Sequence, residues 1–194
     1  MEGTMRFYVA DTPGSFDMSQ PAGYADIKDE VTTYITQDNL KRKFFRLTFN
    51  GHHPQDIAAR YTLMDSIQNF RDVGGYKNIK GKEIKWGEIY RSGFIGKYTD
   101  RDSTRISDAG IKTIIDLRTE EEVKENPLFF PHIRIVHIPI PAGDRAEILQ
   151  RMENNKFRSR DGFLFMEDVY IKFVTQNTED FAQILQLFVD ESNY

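Results

Sequence analysis

The run Ile111-Lys112-Thr113-Ile114-Ile115-Asp116 is mostly apolar, and helix signals stand on both sides of it. Thr99 can cap a helix whose first turn carries Asp100 and Asp102, favourable at the positive end of the helix dipole, and Gly110 suits its C-terminal end. Thr119 and Glu122 then form a Thr-x-x-Glu capping box that opens a second, short helix, which Pro127 ends. A short apolar strand between two helices is the mark of a strand buried on both faces. This alternation restricts the part of the chain after Asn69 to an α/β domain. Ile133 to Ile140 reads as the next strand, Asn78 to Ile84 as a hairpin centred on Lys80-Gly81, and Glu88 to Arg91 as a short strand. Two helices follow. Phe163, Met166, Val169, Tyr170, Phe173 and Val174 share one helical face, as do Phe181, Ile184, Leu185 and Phe188, and both stripes are expected to be core.

The earlier part of the chain has a different pattern. Met5 to Ala10, Glu30 to Ile35 and Lys43 to Phe49 read as strands, separated by turn chemistry at Asp11-Thr12-Pro13-Gly14 and Gln37-Asp38-Asn39. The expectation is a small antiparallel β module over 1–60, immunoglobulin-like or fibronectin-like and thin enough to lean on its neighbour. Gly51-His52-His53-Pro54 is the expected linker, and the α/β domain is expected over 61–194.

Three segments in this order carry a resemblance. Asn69-Phe70-Arg71-Asp72-Val73-Gly74-Gly75-Tyr76 is followed by Arg91-Ser92-Gly93 and then by Ile114-Ile115-Asp116-Leu117-Arg118. Together they resemble the cysteine-dependent tyrosine phosphatases of the bacterial tyrosine/serine phosphatase family. The likeness covers roughly residues 60 to 194. It implies a phosphomonoester hydrolase acting by dephosphorylation on a phosphorylated protein or a small phosphomonoester, with no cofactor. In that family the nucleophile sits in a loop of the form His-Cys-x-x-Gly-Lys-Asp-Arg-Thr-Gly after a helix. This chain contains no cysteine. The resemblance therefore implies a tyrosine-phosphatase-like domain that stops before its cysteine loop and is inactive alone. The alternative is a non-catalytic, phosphatase-like binding protein; an in-frame cysteine loop or a stop codon downstream would separate the two.

Several residues keep two readings. Asp116 can manage a proton near a site, with Arg118 orienting phosphate, or the two can form an internal ion pair or cap. Arg91, followed by Ser92 and Gly93, suits bidentate contact with phosphate or carboxylate. Asn69, Arg71, Asp72, Gly74 and Gly75 are expected to be scaffolding near the pocket, the glycines permitting a tight turn. Asp144 is a second acid candidate, because related cysteine phosphatases carry the general acid on a loop after the equivalent strand, although turn chemistry also explains it. Arg145, Arg151, Lys156, Arg158 and Arg160 form either a basic lid or a solvated helix face.

Composition removes other classes. A net charge of -4 opposes nucleic acid as the main partner. With no cysteine there is neither a disulfide nor a thiolate metal site, and the four histidines suggest no metal ligand set. No run of about eighteen apolar residues suggests a membrane span. The expectation is a soluble protein, exported if a precursor carried a leader, whose open sheet edge would recruit a second copy or a C-terminal fragment, or be covered by the chain's own tail.

Overall fold

The computed structural model describes residues 3–193 apart from 27, 29, 30, 37–40, 51, 142–144, 155 and 156. The chain divides into two compact units, Met1–Gly110 and Ile111–Tyr194.

The first unit opens with a four-stranded antiparallel sheet of β1 (Thr4–Ala10), β2 (Gly23–Asp26), β3 (Phe44–Thr48) and β4 (Gln55–Ala58), in the order β2-β1-β3-β4. Its register places Phe7 opposite Leu47 and Gly23, and Phe45 opposite Val9 and Ile57. Because side chains alternate across a strand, Met5, Phe7, Phe45, Leu47 and Ile57 line one apolar face. Tyr34 covers part of that face, its ring edge-on to Phe7 and Phe45 at centroid distances of 6.0 and 5.6 Å. On the opposite face Arg46 grips Asp56 through two hydrogen bonds of 2.7 and 2.8 Å.

Two of the expected strands are present, and the third is not. Residues 31–36 are irregular, with Val31 80% and Ile35 85% exposed, whereas β2 and β4 supply the edges. β-Branched residues favour a strand only where a neighbouring strand and a face to pack on exist. The expected turn at Gln37-Asp38-Asn39 and the first linker residue, Gly51, lie outside the described residues. The module boundary expected between 50 and 66 falls inside the first unit.

The remainder of this unit is a two-stranded antiparallel ribbon, β5 (Arg71–Asp72) and β6 (Tyr90–Arg91), and helix α1 (Asp100–Asp108). The hairpin is closed by the bridge Lys77 to Glu83, with Gly81 at φ 75° in its turn. Thr99 caps α1 reciprocally with Asp102, and Gly110 at φ 71° ends the last turn. Asp102 also reaches back along the chain. Its carboxylate accepts the backbone N–H groups of Asp65 at 2.6 Å, Ser66 at 3.0 Å and Thr99 at 3.3 Å, and the residue is 0% exposed. Burial alone would raise its pKa, but those backbone hydrogen bonds outweigh it and hold the carboxyl below its ordinary value.

The second unit has a parallel pair, β7 (Thr113–Asp116) and β8 (Arg134–His137), joined through α2 (Glu120–Glu125), and then α3 (Arg145–Glu153), α4 (Ser159–Gln176) and α5 (Thr178–Leu187). Thr119 and Glu122 form the expected capping box. Its core is Ile138, Ile140 and Ile184, against which Ile115, Val136, Phe173, Phe181 and Leu187 pack. The α4 stripe departs from expectation. Val169 is buried, but Phe163 and Val174 are each 70% exposed, and Met166 and Tyr170 are exposed as well. Two strands about 4.8 Å apart span no more than the width of one helix, so the pair cannot cover both helical stripes. For the same reason Ile114 and Ile115 of β7 are half-buried rather than enclosed. A 3-10 turn at Glu191–Asn193 finishes the unit, where buried Asn193 accepts from Thr113 Oγ1 at 3.4 Å and Arg134 Nη1 at 3.0 Å and donates to the Leu187 carbonyl at 3.1 Å.

Candidate functional site

In the first unit the segment 69–76 is organised by one carboxylate. Asp72 is 1% exposed and accepts from the backbone N–H of Gly74 at 2.6 Å and of Gly87 at 2.7 Å. Arg42 completes the set with Nη1 at 2.7 Å from the second carboxylate oxygen. Both glycines of the segment are required by the approach of Trp86. A Cβ on Gly74 would lie 2.5 Å from the Trp86 backbone, and one on Gly75, which has φ 80°, would lie 2.3 Å from the indole. Asn69 sits at φ 55°, in the left-handed region that asparagine tolerates, and lets the chain enter β5.

Arg42 is the residue that sequence reasoning missed. Its guanidinium stacks 4.7 Å from the Phe44 ring and 5.8 Å from those of Trp86 and Tyr90, and it bonds the Ala59 carbonyl at 2.8 Å and the Tyr90 hydroxyl at 3.1 Å. Burial raises the Tyr90 pKa, with the Arg42 charge opposing it. Nothing local marks this arginine, which lies 30 residues from the aspartate it pairs with; an arginine set among aromatic residues is the one signal that could have found it.

Arg71 and Arg91 lie directly opposite one another in the β5–β6 ladder, and Tyr61 bridges to the other side of Arg71. Arg71 donates to the Tyr61 hydroxyl at 3.2 Å. Arg91 is exposed, without a hydrogen-bond or ion-pair partner among the described residues, and Ser92 beside it is half-buried. Gly93 donates to the Gln68 carbonyl at 2.8 Å.

In the second unit Asp116 and Arg118 close on one another at the C-terminal end of β7. Arg118 Nε lies 2.9 and 3.1 Å from the two carboxylate oxygens, and Nη2 lies 2.6 Å from one of them. The Arg118 backbone N–H also donates to Asp116 at 3.1 Å, while Nη1 donates to the Asn126 carbonyl at 2.8 Å. Burial would raise the Asp116 pKa, but the hydrogen bonds from Arg118 prevail and hold it below the usual carboxylate range. The same bonds raise Arg118 further. Such a carboxylate is ionised at neutral pH and acts as an acceptor, not as a proton donor. His137 lies 2.7 Å through Nε2 from the Arg118 carbonyl, fixing the turn from β8.

The profile of the tyrosine phosphatase family matches residues 62–193, which is most of the chain and includes all three segments. The chain belongs to the tyrosine phosphatase family. A relative in Cupriavidus necator, named by inference a tyrosine-protein phosphatase, is 27% identical over 134 residues, covering 67% of this chain. The alignment spans 48% of that relative, so the chain reaches over about half the length of the curated protein it matches.

Within this tyrosine phosphatase family member, the family match begins at residue 62, whereas Arg42 comes from outside the matched segment. The other expected site residues fare unevenly. Asp144 lies outside the described residues, as does Lys156. Of the basic run, Arg151 is held by Asp161 at 2.9 Å, and Arg158 and Arg160 are exposed. Among the described residues, no three His, Asp or Glu side chains gather closely enough to hold a metal. No described helix is long and apolar enough to cross a membrane.

Proposed function

We propose that this chain is a phosphatase-family segment that binds and orients phosphomonoester groups but does not hydrolyse them by itself. The observation that carries the reading is the family match over residues 62–193 in a chain with no cysteine. Cysteine phosphatases attack phosphorus in line with a thiolate, and the carboxylates and arginines present have no means of replacing that nucleophile. Phosphorylated protein or a small phosphomonoester is the proposed substrate class of the complete enzyme.

Arg91 and Ser92 are the proposed phosphate ligands of the first unit, because Arg91 is exposed and uncommitted. Asn69, Arg71, Asp72, Gly74 and Gly75 hold that segment in shape. In the second unit the proposed role of Arg118 is to keep Asp116 ionised and oriented, and it contacts phosphate only by releasing part of its grip. Asp144 is retained as a candidate acid. The first 60 residues are proposed as a β module of immunoglobulin or fibronectin type, whose apolar face takes further cover.

The test is hydrolysis of p-nitrophenyl phosphate by the purified chain. The expected result is no turnover. Activity that survives repurification and disappears in Asp116→Asn would overturn the reading.

A second reading, a non-catalytic binding protein, is favoured by the exposed α4 stripe at Phe163, Met166, Tyr170 and Val174. Large exposed apolar stripes recruit partners, so this reading expects association with a second copy or with a retained fragment. Sedimentation as a strict monomer of 22.7 kDa, with no accompanying peptide and a cooperative melt, would remove the expected association.

A further inference from the structure

Like charges placed directly opposite in an antiparallel ladder repel, and their Cβ atoms are only about 4.5–5.5 Å apart. β5 and β6 put Arg71 opposite Arg91 in this way. Among the described residues no carboxylate bonds to either arginine. The positions two residues along the strands, Ala59, Val73 and Ile89 on one side and Asn69 and Gly93 on the other, carry no carboxylate. Asp72, the acid next to Arg71 in sequence, points to the opposite face and is engaged with Gly74, Gly87 and Arg42. Arg71 spends one donor on the Tyr61 hydroxyl and lies 5.8 Å from its ring centroid. Its remaining donors, and all those of Arg91, are free of partners among the described residues.

We propose that Arg71 and Arg91 form a two-arginine clamp for the dianionic phosphate of a phosphomonoester, with Tyr61 as the platform for its organic part. The proposal rests on the reading of Arg91 as a phosphate ligand and adds a second arginine and an aromatic surface to it. A phosphomonoester carries about -1.5 to -2 charge near pH 7, which matches two guanidinium groups better than chloride or a carboxylate does. Each guanidinium presents a planar fork that meets two phosphate oxygens at once. Tyr61 is 63% exposed, and it also lines a cavity of about 470 Å³ formed by the loop from Tyr61 to Phe70, with Leu63, Met64 and Ile67 on its wall. An aryl group attached to a phosphate held by the clamp has an aromatic ring and an apolar recess within reach.

The experiment uses the full chain with two probes, inorganic phosphate and phenyl phosphate, against sodium chloride at matched ionic strength. Affinity is read by calorimetry and by the shift in Tm. Ligand that binds only the folded state must raise Tm, so wild-type Tm should climb with phosphate beyond the chloride control. Arg71→Gln and Arg91→Gln should each weaken phosphate by about tenfold, a loss of about 1.4 kcal/mol. Without phosphate, Arg91→Gln should melt no lower than wild type, because one of two opposed charges has gone. Phenyl phosphate should bind more tightly than inorganic phosphate, and Tyr61→Ala should abolish that preference.

Loss of binding in Arg91→Gln with full binding in Arg71→Gln would overturn the clamp and leave Arg91 as a lone phosphate ligand. Full binding in both variants would overturn the clamp and the reading of Arg91 together. Equal affinity for the two probes in wild type would overturn the role given to Tyr61.

Discussion

The two compact units use carboxylates in opposite ways. In the first, Asp72 and Asp102 are almost wholly buried, and each gathers backbone N–H groups from separate stretches of chain, so that loops with few apolar residues acquire one shape. In the second, the isoleucine core at Ile138, Ile140 and Ile184 carries the packing, and the Asp116–Arg118 pair is local, two residues apart. A carboxylate with several fixed donors demands its own geometry, whereas an aliphatic contact accepts substitutes of similar volume. The first unit should therefore be intolerant of conservative polar changes, and the second of cavities.

The sharpest test is Asp72→Ala, which strands the Arg42 guanidinium and two backbone N–H groups. We expect a loss of about 4 kcal/mol in chemical denaturation, in line with breaking a buried pair from one side. A loss below about 1 kcal/mol would mean that the polar network follows the fold and does not set it. The counterpart in the second unit is Ile184→Ala, expected to cost about 3 kcal/mol through lost burial and the cavity left behind.

Asp116→Asn ranks third, at about 2 kcal/mol at pH 7, because it removes one charge from a partly buried pair. This residue also predicts a pH profile. Its folded pKa is depressed, as is that of Asp102, so the stability they contribute is fully present above the unfolded value of about 3.9. It is lost as pH falls below about 4 through the lower folded values. Tm measured from pH 7 to pH 3 should fall more steeply in wild type than in Asp116→Asn, and parallel curves would remove Asp116 from the acid transition. The smallest effect belongs to α4, where Phe163→Ser should change stability by no more than about 0.5 kcal/mol because the ring is exposed. A larger loss would mean that this stripe is covered in solution.

Much of the local structure was legible in the sequence. The cap at Thr99, the capping box at Thr119, the turn at Gly81 and the helix end at Gly110 depend on neighbours within a few residues, and pattern reading sees those. What escaped it was long-range. Asp102 reads as a first-turn acid, yet its larger task is to hold the backbone of Asp65 and Ser66, some 36 residues away. Val31 and Ile35 carry strand propensity but have no strand beside them, while β2 and β4, weak in propensity, pair because β1 and β3 offer them edges. The helical period of α4 was plain; how much sheet stood beneath it was not.

Asn193 has a consequence for the order of events during synthesis. Its bonds to Thr113 of β7 and Arg134 of β8 tie both strands to one residue that follows them by 80 and 59 positions. Once His137 has emerged from a ribosome, β7 and β8 can pair, yet their clasp is still being made. At about 5–20 residues per second, the interval until Asn193 follows is roughly three to eleven seconds. Throughout it Ile138 and Ile140, just after β8, lack Ile184 of α5 and face water, which leaves a nascent chain open to association in this interval.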